Sequence, residues 1–540
     1  MKLSKCFPQG YTPRTSQIDI IEQVQQALNE DHRFIVIQAP PGCGKSCIAA
    51  TLVNYSKTPS LKWKDKVNNN IFFSRNKDGT YEQSSNKERC GTYVLTITKY
   101  LQDQYEQMFK DSFVLKGKQN YDCDIDPLFN VSVAPCVLSP RLVDTCMVNG
   151  ECSYYNTLNN MLSNKFRVTN YNKYMTLPTP ARFCDILICD EASEVEEVIV
   201  NYFSLTVDYK RLYYLGLRGI KPVITDKKSE VISWISNVKI EAESVYREAV
   251  DNIKESIYST KTNTELSKIS SLRNLIDQSQ LIIDTWKFCD YIVERSADQI
   301  KVTPLHINRL ADKLFEGANK IVFMSSTIFD VKCFTKTLGI DKYKYIEHPG
   351  VFDPKKSPIY APCKVSLNRQ NLKQSIPIIL KQIDDICKMF PNDKGVIHTH
   401  TNDITELIHK RFRKDSRFLF RTGDMTNENI LLDHKDSNEP TILVSPSLAF
   451  GIDLPDDLCR FQIVVKLPYP SLGDKRIGKL AKESPDWYTS KMFTKLIQMS
   501  GRGTRNIDDY STTFVLDGNF IRVVSYNIDK LPEHFRSRLQ

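Results

Sequence analysis

Short unbroken apolar runs alternate with amphipathic stretches along most of this chain. Phe34-Ile35-Val36-Ile37 predicts a buried strand, a Pro/Gly-rich loop follows, and Cys47-Ile48-Ala49-Ala50 opens an apolar helix. Residues 93–97, 186–189 and 321–324 predict three more strands of the same kind. A second set begins near Ile359, with strands expected at 395–398, 441–444 and 462–465. Apolar strands followed by helical patterns predict an α/β fold with parallel sheets. Two such blocks in one chain predict a ligand cleft between them.

Three stretches break the alternation. Residues 56–90 are rich in Lys, Asn and Ser with a turn signal at Asp78-Gly79, and read as a solvated insertion or hairpin. Residues 110–165 hold four cysteines, Cys123, Cys136, Cys146 and Cys152. Residues 200–300 read as helical: Ile235, Val238, Ala242, Val245, Ala249 and Ile253 recur at spacings of three and four, and Ile269, Leu272, Ile276, Ile283 and Trp286 form another such stripe. Plain core packing of a helical subdomain accounts for both stripes.

Composition narrows the class. With 41% hydrophobic and 25% charged residues, the 540-residue chain is neither disordered nor a collagen-like or coiled-coil rod. A net charge of +9 suits a polyanionic partner without requiring one. No run reaches the length of a membrane helix, and the first residues carry no apolar core of a signal peptide. The 15 cysteines are therefore expected in a reducing, cytoplasmic compartment, where clustered thiols read as metal or cluster ligands.

The chemistry begins at Ala39-Pro40-Pro41-Gly42-Cys43-Gly44-Lys45-Ser46, between the first strand and its helix. This is a P-loop with Ala in place of the usual opening Gly. In the loop Pro41-Gly42-Cys43-Gly44, the backbone N–H groups of Gly42, Cys43, Gly44 and the residues after them can converge on phosphates, with Lys45 on the β- and γ-phosphates of ATP and the Ser46 hydroxyl on Mg²⁺. Asp190-Glu191 ends an apolar strand: Asp190 is placed to hold Mg²⁺ and Glu191 to orient or deprotonate the attacking water. Gln498-Met499-Ser500-Gly501-Arg502-Gly503-Thr504-Arg505 supplies two arginines spaced by three, expected on one helical face as arginine fingers from the second block. The four clustered cysteines lack paired CxxC spacing; a [4Fe–4S] cluster, Zn²⁺ and free core thiols all remain open from spacing alone.

Taken together these motifs resemble, in order, the XPD/DinG family of iron–sulfur superfamily 2 DNA helicases. Tyr11-Thr12-Pro13-Arg14 with Gln17 resembles its adenine-sensing segment, and Thr96-Ile97-Thr98 with Leu101 and Gln104 its DNA-backbone segment. Residues 115–123 and 152–155 resemble the flanks of its cluster cysteines, and Val168-Thr169-Asn170-Tyr171 also fits. Met324-Ser325-Ser326-Thr327 resembles the coupling motif; residues 445–453, with Ser447, Gly451 and Asp453, resemble the segment touching DNA and nucleotide; Leu467-Pro468-Tyr469-Pro470 and residues 498–505 complete the series.

The resemblance implies two RecA-like parallel-sheet motor domains, with an iron–sulfur insert and a helical arch in the first. The boundaries would be 1–109, 166–199 and 301–355 for motor domain 1, 110–165 for the cluster domain, 200–300 for the arch and 356–540 for motor domain 2. It implies a [4Fe–4S] cluster on Cys123, Cys136, Cys146 and Cys152. It implies an ATP- and Mg²⁺-dependent monomer that moves 5′→3′ on single-stranded DNA and opens forks, with no membrane partner and with replication or repair proteins nearby. An RNA or RNA–DNA hybrid remodeller, and a nucleic-acid scaffold with a weakened ATPase, are the alternatives; a nuclease is least supported, for want of a second carboxylate cluster. Abundant Lys, Asn and Ile are consistent with an AT-rich genome, viral or phage, which would place the protein in the host cytoplasm; a eukaryotic source would place it in the nucleus. The sequence departs from the family at Ser193, where His is common, at Ser326, where Ala is more usual, and at Asn519, where Arg often stands. Ser193 puts tight coupling of hydrolysis to unwinding in question, and the short helical insert suggests an incomplete arch.

Overall fold

A computed structural model describes residues 2–57, 72–75, 81–84, 91–125, 129–134, 136, 152–254, 262–363, 365–367, 370–421, 425–446, 454–504 and 508–540. The first strand, β1 (Phe34–Gln38), is followed by an antiparallel hairpin of β2 (Phe72–Arg75) and β3 (Tyr81–Ser84), then by β4 (Thr92–Thr96), β5 (Phe113–Leu115), β6 (Phe166–Asn170) and β7 (Cys184–Asp190). An insert carries β8 (Leu205–Asp208), β9 (Tyr291–Arg295) and β10 (Gln299–Pro304), after which β11 (Ala318–Ser325) and β12 (Lys344–Glu347) return to the first lobe.

Seven of these strands form one sheet in the order β12-β1-β11-β7-β4-β6-β5, parallel at every pairing. Their near-continuous apolar sequences follow from burial on both faces. Along β7 and β11, Leu187, Cys189, Ile321 and Phe323 enter one core while Ile186, Ile188, Val322 and Met324 enter the other, as a side-chain period of two requires. The second lobe is a six-stranded parallel sheet of order β13-β18-β17-β14-β16-β15, built from β13 (Ile359–Tyr360), β14 (Gly395–His398), β15 (Phe418–Phe420), β16 (Ile442–Ser445), β17 (Phe461–Val464) and β18 (Thr512–Val515). These are two RecA-like parallel-sheet lobes. Every strand expected from the apolar runs is present, with ends displaced by at most three residues.

The 200–300 stretch differs from its helical reading. Its helices Lys228–Lys254 and Thr262–Thr285 do pack on each other, and Ile235, Val238, Ala242 and Leu272 are buried core, as the stripes indicate. They also pack on an antiparallel sheet, β8-β10-β9, whose inward Tyr291, Val293, Ile300 and Val302 alternate with more exposed residues. Helical spacing dominates that stretch and masks these short alternations. Within 110–165, β5 pairs with β6 at the edge of the first lobe's sheet. The Asp78-Gly79 turn lies outside the described residues, between β2 and β3.

The two lobes touch through buried groups. Phe329 stacks on Phe493 at 4.4 Å between ring centroids. Glu196, on the helix Val195–Tyr202, accepts from Arg476 (2.9 Å), from Lys491 (2.6 Å) and from the Trp487 indole (3.0 Å). The insert joins in: the Lys475 backbone N–H donates to Glu294 (2.6 Å) and its Nζ to the Val293 carbonyl (3.2 Å). Among the described residues, no helix is long and apolar enough to cross a membrane.

Candidate nucleotide site between the lobes

Parallel strands bring their carboxyl ends to one edge, where ligands of such sheets bind. At that edge of the first lobe, Gln38 lies level with Ser325, and Met324 with Asp190. Gly42 and Gly44 follow β1 at φ +81° and +71°, a region side chains disfavour, and their turns lead into the helix Lys45–Ser56. The Phe352 ring lies against Gly42 where a Cβ would stand. Converging loop amides and a helix N-terminus form an anion site. Lys45 Nζ donates to the Ala39 carbonyl at 3.1 Å. Arg14 and Gln17 both reach this loop: Arg14 donates to the Gly42 carbonyl (2.6 Å), and Gln17 donates to the Gly44 carbonyl (3.3 Å) while its Oε1 accepts from the Arg14 backbone (2.9 Å).

Asp190 is buried at the end of β7. It accepts from the Tyr105 hydroxyl (3.2 Å) and from the Glu191 N–H (3.0 Å), and its carbonyl accepts from Tyr171 (2.7 Å). Tyr105 lies between Asp190 and Ser46, the two side chains expected to hold Mg²⁺. Burial, then the charge of Glu191, pushes the Asp190 carboxyl up to about 6, against the pull of Lys45. Glu191 itself sits at φ +51°, a strained position for a non-glycine residue.

The second lobe closes this edge. Ser193 accepts from Ser325 within its own lobe (3.2 Å) and from Gln498 Nε2 across the cleft (3.1 Å). The helix Pro485–Ser500 carries Gln498 and ends at Ser500. Arg502 therefore stands in the turn after the helix, not on a helical face; the helical run stops before Gly501. Arg505 lies outside the described residues, as do Ser447, Gly451 and Asp453. Arg502 is 8% exposed and faces His398, which burial, with the charges of Arg502 and Lys495, pushes down to about 3 and keeps neutral.

A cavity of about 550 Å³ lies between these parts. Lys45, Ser46, Asp190 and Glu191 line one side, and Gln498 and Arg502 the other. Pro41, Arg14, Thr98 and Gln104 also line it, whereas Gln17 and Cys43 brace the loop from behind. Its size suits a nucleotide. Thr98 also holds local structure, since its hydroxyl accepts from the Leu101 N–H (3.2 Å) and caps the helix Lys99–Met108. Gln104 turns toward the Met108 sulfur at 3.7 Å.

Three of the four clustered cysteines, Cys123, Cys136 and Cys152, are described. Cys123 and Cys136 share one small apolar cluster, the half-buried Lys118 lies near both Cys136 and Cys152, and Asp124 accepts from the Ser153 backbone (2.7 Å), tying the two flanks together. Among the described residues no three His, Cys, Asp or Glu side chains stand close enough to hold a metal ion, and Cys146 is outside them.

Sequence reading missed Tyr105, Glu196 and the C-terminal residues His534, Ser537 and Arg538, which also line the cavity or fasten its halves. None belongs to a local motif; each is brought in by chain folding from a distance.

Comparison with known proteins agrees with this architecture. Residues 383–538 match the helicase C-terminal domain family, and residues 20–141, which contain the P-loop, match the Nephrocystin 3 N-terminal family. A segment of 126 residues is 30% identical to "ATP-dependent DNA helicase CHL1" of Vanderwaltozyma polyspora, covering 19% of this chain and 15% of that protein. A longer alignment, 20% identical over 437 residues, covers 63% of this chain and 65% of "Probable ATP-dependent helicase MJ0942" of Methanocaldococcus jannaschii. The chain thus spans less than two thirds of the length of either relative. Among solved structures, "XPD_Helicase" superimposes with TM-score 0.62 at 14% identity, over 98% of this chain and 99% of that one. "Structure of S. tokodaii Xpd4" gives TM-score 0.57 at 15% identity, over 95% and 97%. In fold this chain is like the XPD structures, and its residues 383–538 match the helicase C-terminal domain family.

Proposed function

We propose that this protein is an ATP-driven motor that moves 5′→3′ on single-stranded DNA and separates duplex at a fork. One observation carries the reading: the P-loop Lys45, Asp190 and Glu191 of the first lobe share a single cavity with Gln498 and Arg502 of the second. A nucleotide bound there bridges the lobes, so hydrolysis changes their spacing. Lys45 and the loop amides hold the phosphates. Ser46 and Asp190 hold Mg²⁺, with Tyr105 hydrogen-bonded to Asp190, and Glu191 orients the attacking water. Arg502, with Arg505, meets charge developing on the γ-phosphate. Arg14 and Gln17 tie the P-loop to the adenine side, and Gly451 and Asp453 contribute nucleotide contacts in this reading. Thr98, Gln104 and Ser447 contact the DNA backbone, a grip that is independent of sequence and sensitive to salt.

Residues 110–165 act as the cluster domain and 200–300 as the arch in this reading. Cys123, Cys136, Cys146 and Cys152 hold a [4Fe–4S] cluster that braces an insert too small for a core of its own. The nearness of Lys118 to Cys136 and Cys152, with Cys123 and Cys136 in one apolar cluster, supports that donor set over scattered core cysteines.

The test is strand separation on 5′-tailed and 3′-tailed DNA forks side by side, with anaerobically purified protein. Unwinding of the 5′-tailed fork alone is expected. Unwinding of the 3′-tailed fork, or of RNA duplexes in preference to DNA, would overturn the polarity or the substrate.

A further inference from the structure

The last residues of the chain return to the nucleotide cavity. The Ile359 N–H donates to the Arg538 carbonyl (2.8 Å), the Gln540 N–H donates to the Ile359 carbonyl (3.1 Å), and Phe535 is fully buried. The segment is thereby fastened to the edge of the second sheet, and His534, Ser537 and Arg538 form part of the cavity wall.

Arg538 is 6% exposed. Its neighbours are not carboxylates: Nε donates to the Ser357 carbonyl (2.6 Å), and the two terminal nitrogens donate to the Ser500 hydroxyl (3.3 Å) and carbonyl (2.7 Å). Burial alone holds the guanidinium below its ordinary range, down to about 10, so it stays charged. Among the described residues it has no carboxylate counter-ion; a buried cation so placed is a poor way to fill space, and an apolar side chain would pack there with less loss of hydration. The partners show what the charge does. Ser500 is the last residue of the helix Pro485–Ser500, whose carbonyl end carries partial negative charge, and Arg502 follows within two residues. Ser357 lies in the connection between β12 and β13, the link between the lobes, and also lines the cavity. Gln462 donates to the same Ser500 carbonyl from β17 (3.1 Å), so this carbonyl is gripped from two directions.

We infer that Arg538 is a positioning residue for ATP hydrolysis, clamping the helix end at Ser500 to the inter-lobe connection at Ser357 so that Arg502 meets the phosphates when the lobes close. The inference rests on the ATPase reading above. Because Arg502 acts in the transition state, a displaced clamp slows turnover and leaves ground-state nucleotide binding nearly intact; a misplacement of about 1 Å can cost about a hundredfold in rate.

The experiment compares full-length wild type, Arg538→Lys and Arg538→Gln in steady-state ATP hydrolysis stimulated by single-stranded DNA. Binding of ADP, with and without aluminium fluoride, is measured alongside. Arg538→Gln is expected to lower kcat roughly 10- to 100-fold with KM within about threefold, and to lose the extra affinity that aluminium fluoride confers on ADP. Arg538→Lys keeps the charge but not the fork, and should recover part of the rate. If Arg538→Gln does not fold, Arg538→Lys carries the same kcat and fluoride readouts. A kcat within about twofold of wild type in a folded variant, or a KM effect without a kcat effect, overturns the inference. Wild type that hydrolyses no ATP overturns the ATPase reading instead.

Discussion

Glu196→Gln tests how the lobes are held. Glu196 is 5% exposed, and its carboxylate meets Arg476 at 2.9 Å, Lys491 at 2.6 Å and the Trp487 indole at 3.0 Å, all from the opposite lobe. Burial alone would raise its pKa; the charges and hydrogen bonds of Lys491 and Arg476 outweigh that and pull it down to about 2, from an ordinary 4.5. That depression corresponds to about 3 kcal/mol at neutral pH, and removing one member of a buried ion pair costs about 3–5 kcal/mol by itself. Gln keeps the shape and loses the charge, leaving Arg476 and Lys491 without their counter-ion. Because the folded pKa lies below the unfolded one, this stabilisation is complete above about pH 4.5 and is lost as pH falls toward 2. Urea unfolding, followed by the fluorescence of Trp487 in a background lacking the other tryptophans, should show the midpoint of Glu196→Gln lowered by about 1 M at pH 7, for a slope of about 3 kcal/mol per molar. The gap between variant and wild type should narrow steadily below pH 4.5. An unchanged midpoint at neutral pH, or a gap that stays constant down to about pH 3, would refute the assignment of this charge as a lobe-to-lobe tie.

Other expectations follow from single contacts. Ser193→Ala removes the hydroxyl that accepts from both Ser325 and Gln498, so ATP hydrolysis should persist while DNA stimulation of it falls several-fold; unchanged stimulation in a hydrolysis assay would show that the bridge carries no coupling. Gly42→Ala puts a methyl group into the Phe352 ring at a residue with φ +81°, and should abolish nucleotide binding measured by fluorescent ATP analogues, with partial recovery in Gly42→Ala/Phe352→Leu. Cys136→Ser should lose iron, measured by absorbance and metal analysis, and lose unwinding before it loses nucleotide binding; full iron content in the variant would remove Cys136 from the donor set.

The motor lobes were legible in the sequence because their strands are buried on both faces. Runs such as Phe34–Gln38 and Gly395–His398 are apolar through their centres, and the P-loop and Asp190-Glu191 sit at strand ends where the motifs require. The β8-β10-β9 sheet was hidden because its alternations are short and flank strong helical stripes. The end of the helix at Ser500 was hidden because Met499-Ser500-Gly501-Arg502 carries a helical pattern through a glycine that stops it. In the site, local motifs picked out Lys45, Asp190, Glu191 and Arg502, which the fold brings to one cavity. Tyr105, Glu196 and Arg538 have partners 85, 280 and 38 residues away, and no local pattern encodes such meetings. Ser193 shows the reverse: a departure that argued for weakened coupling holds hydrogen bonds to both lobes in the folded chain.

If one cavity built from both lobes hydrolyses ATP, residues on either side of it must be needed for turnover. The most direct measurement is ATP turnover stimulated by single-stranded DNA in wild type, Lys45→Ala and Arg502→Ala, with ATP binding measured beside it. Both substitutions should abolish turnover, Arg502→Ala by about a thousandfold or more while still binding ATP. Wild-type turnover in Arg502→Ala would mean that the second lobe takes no part in the chemistry, and would contradict a shared site.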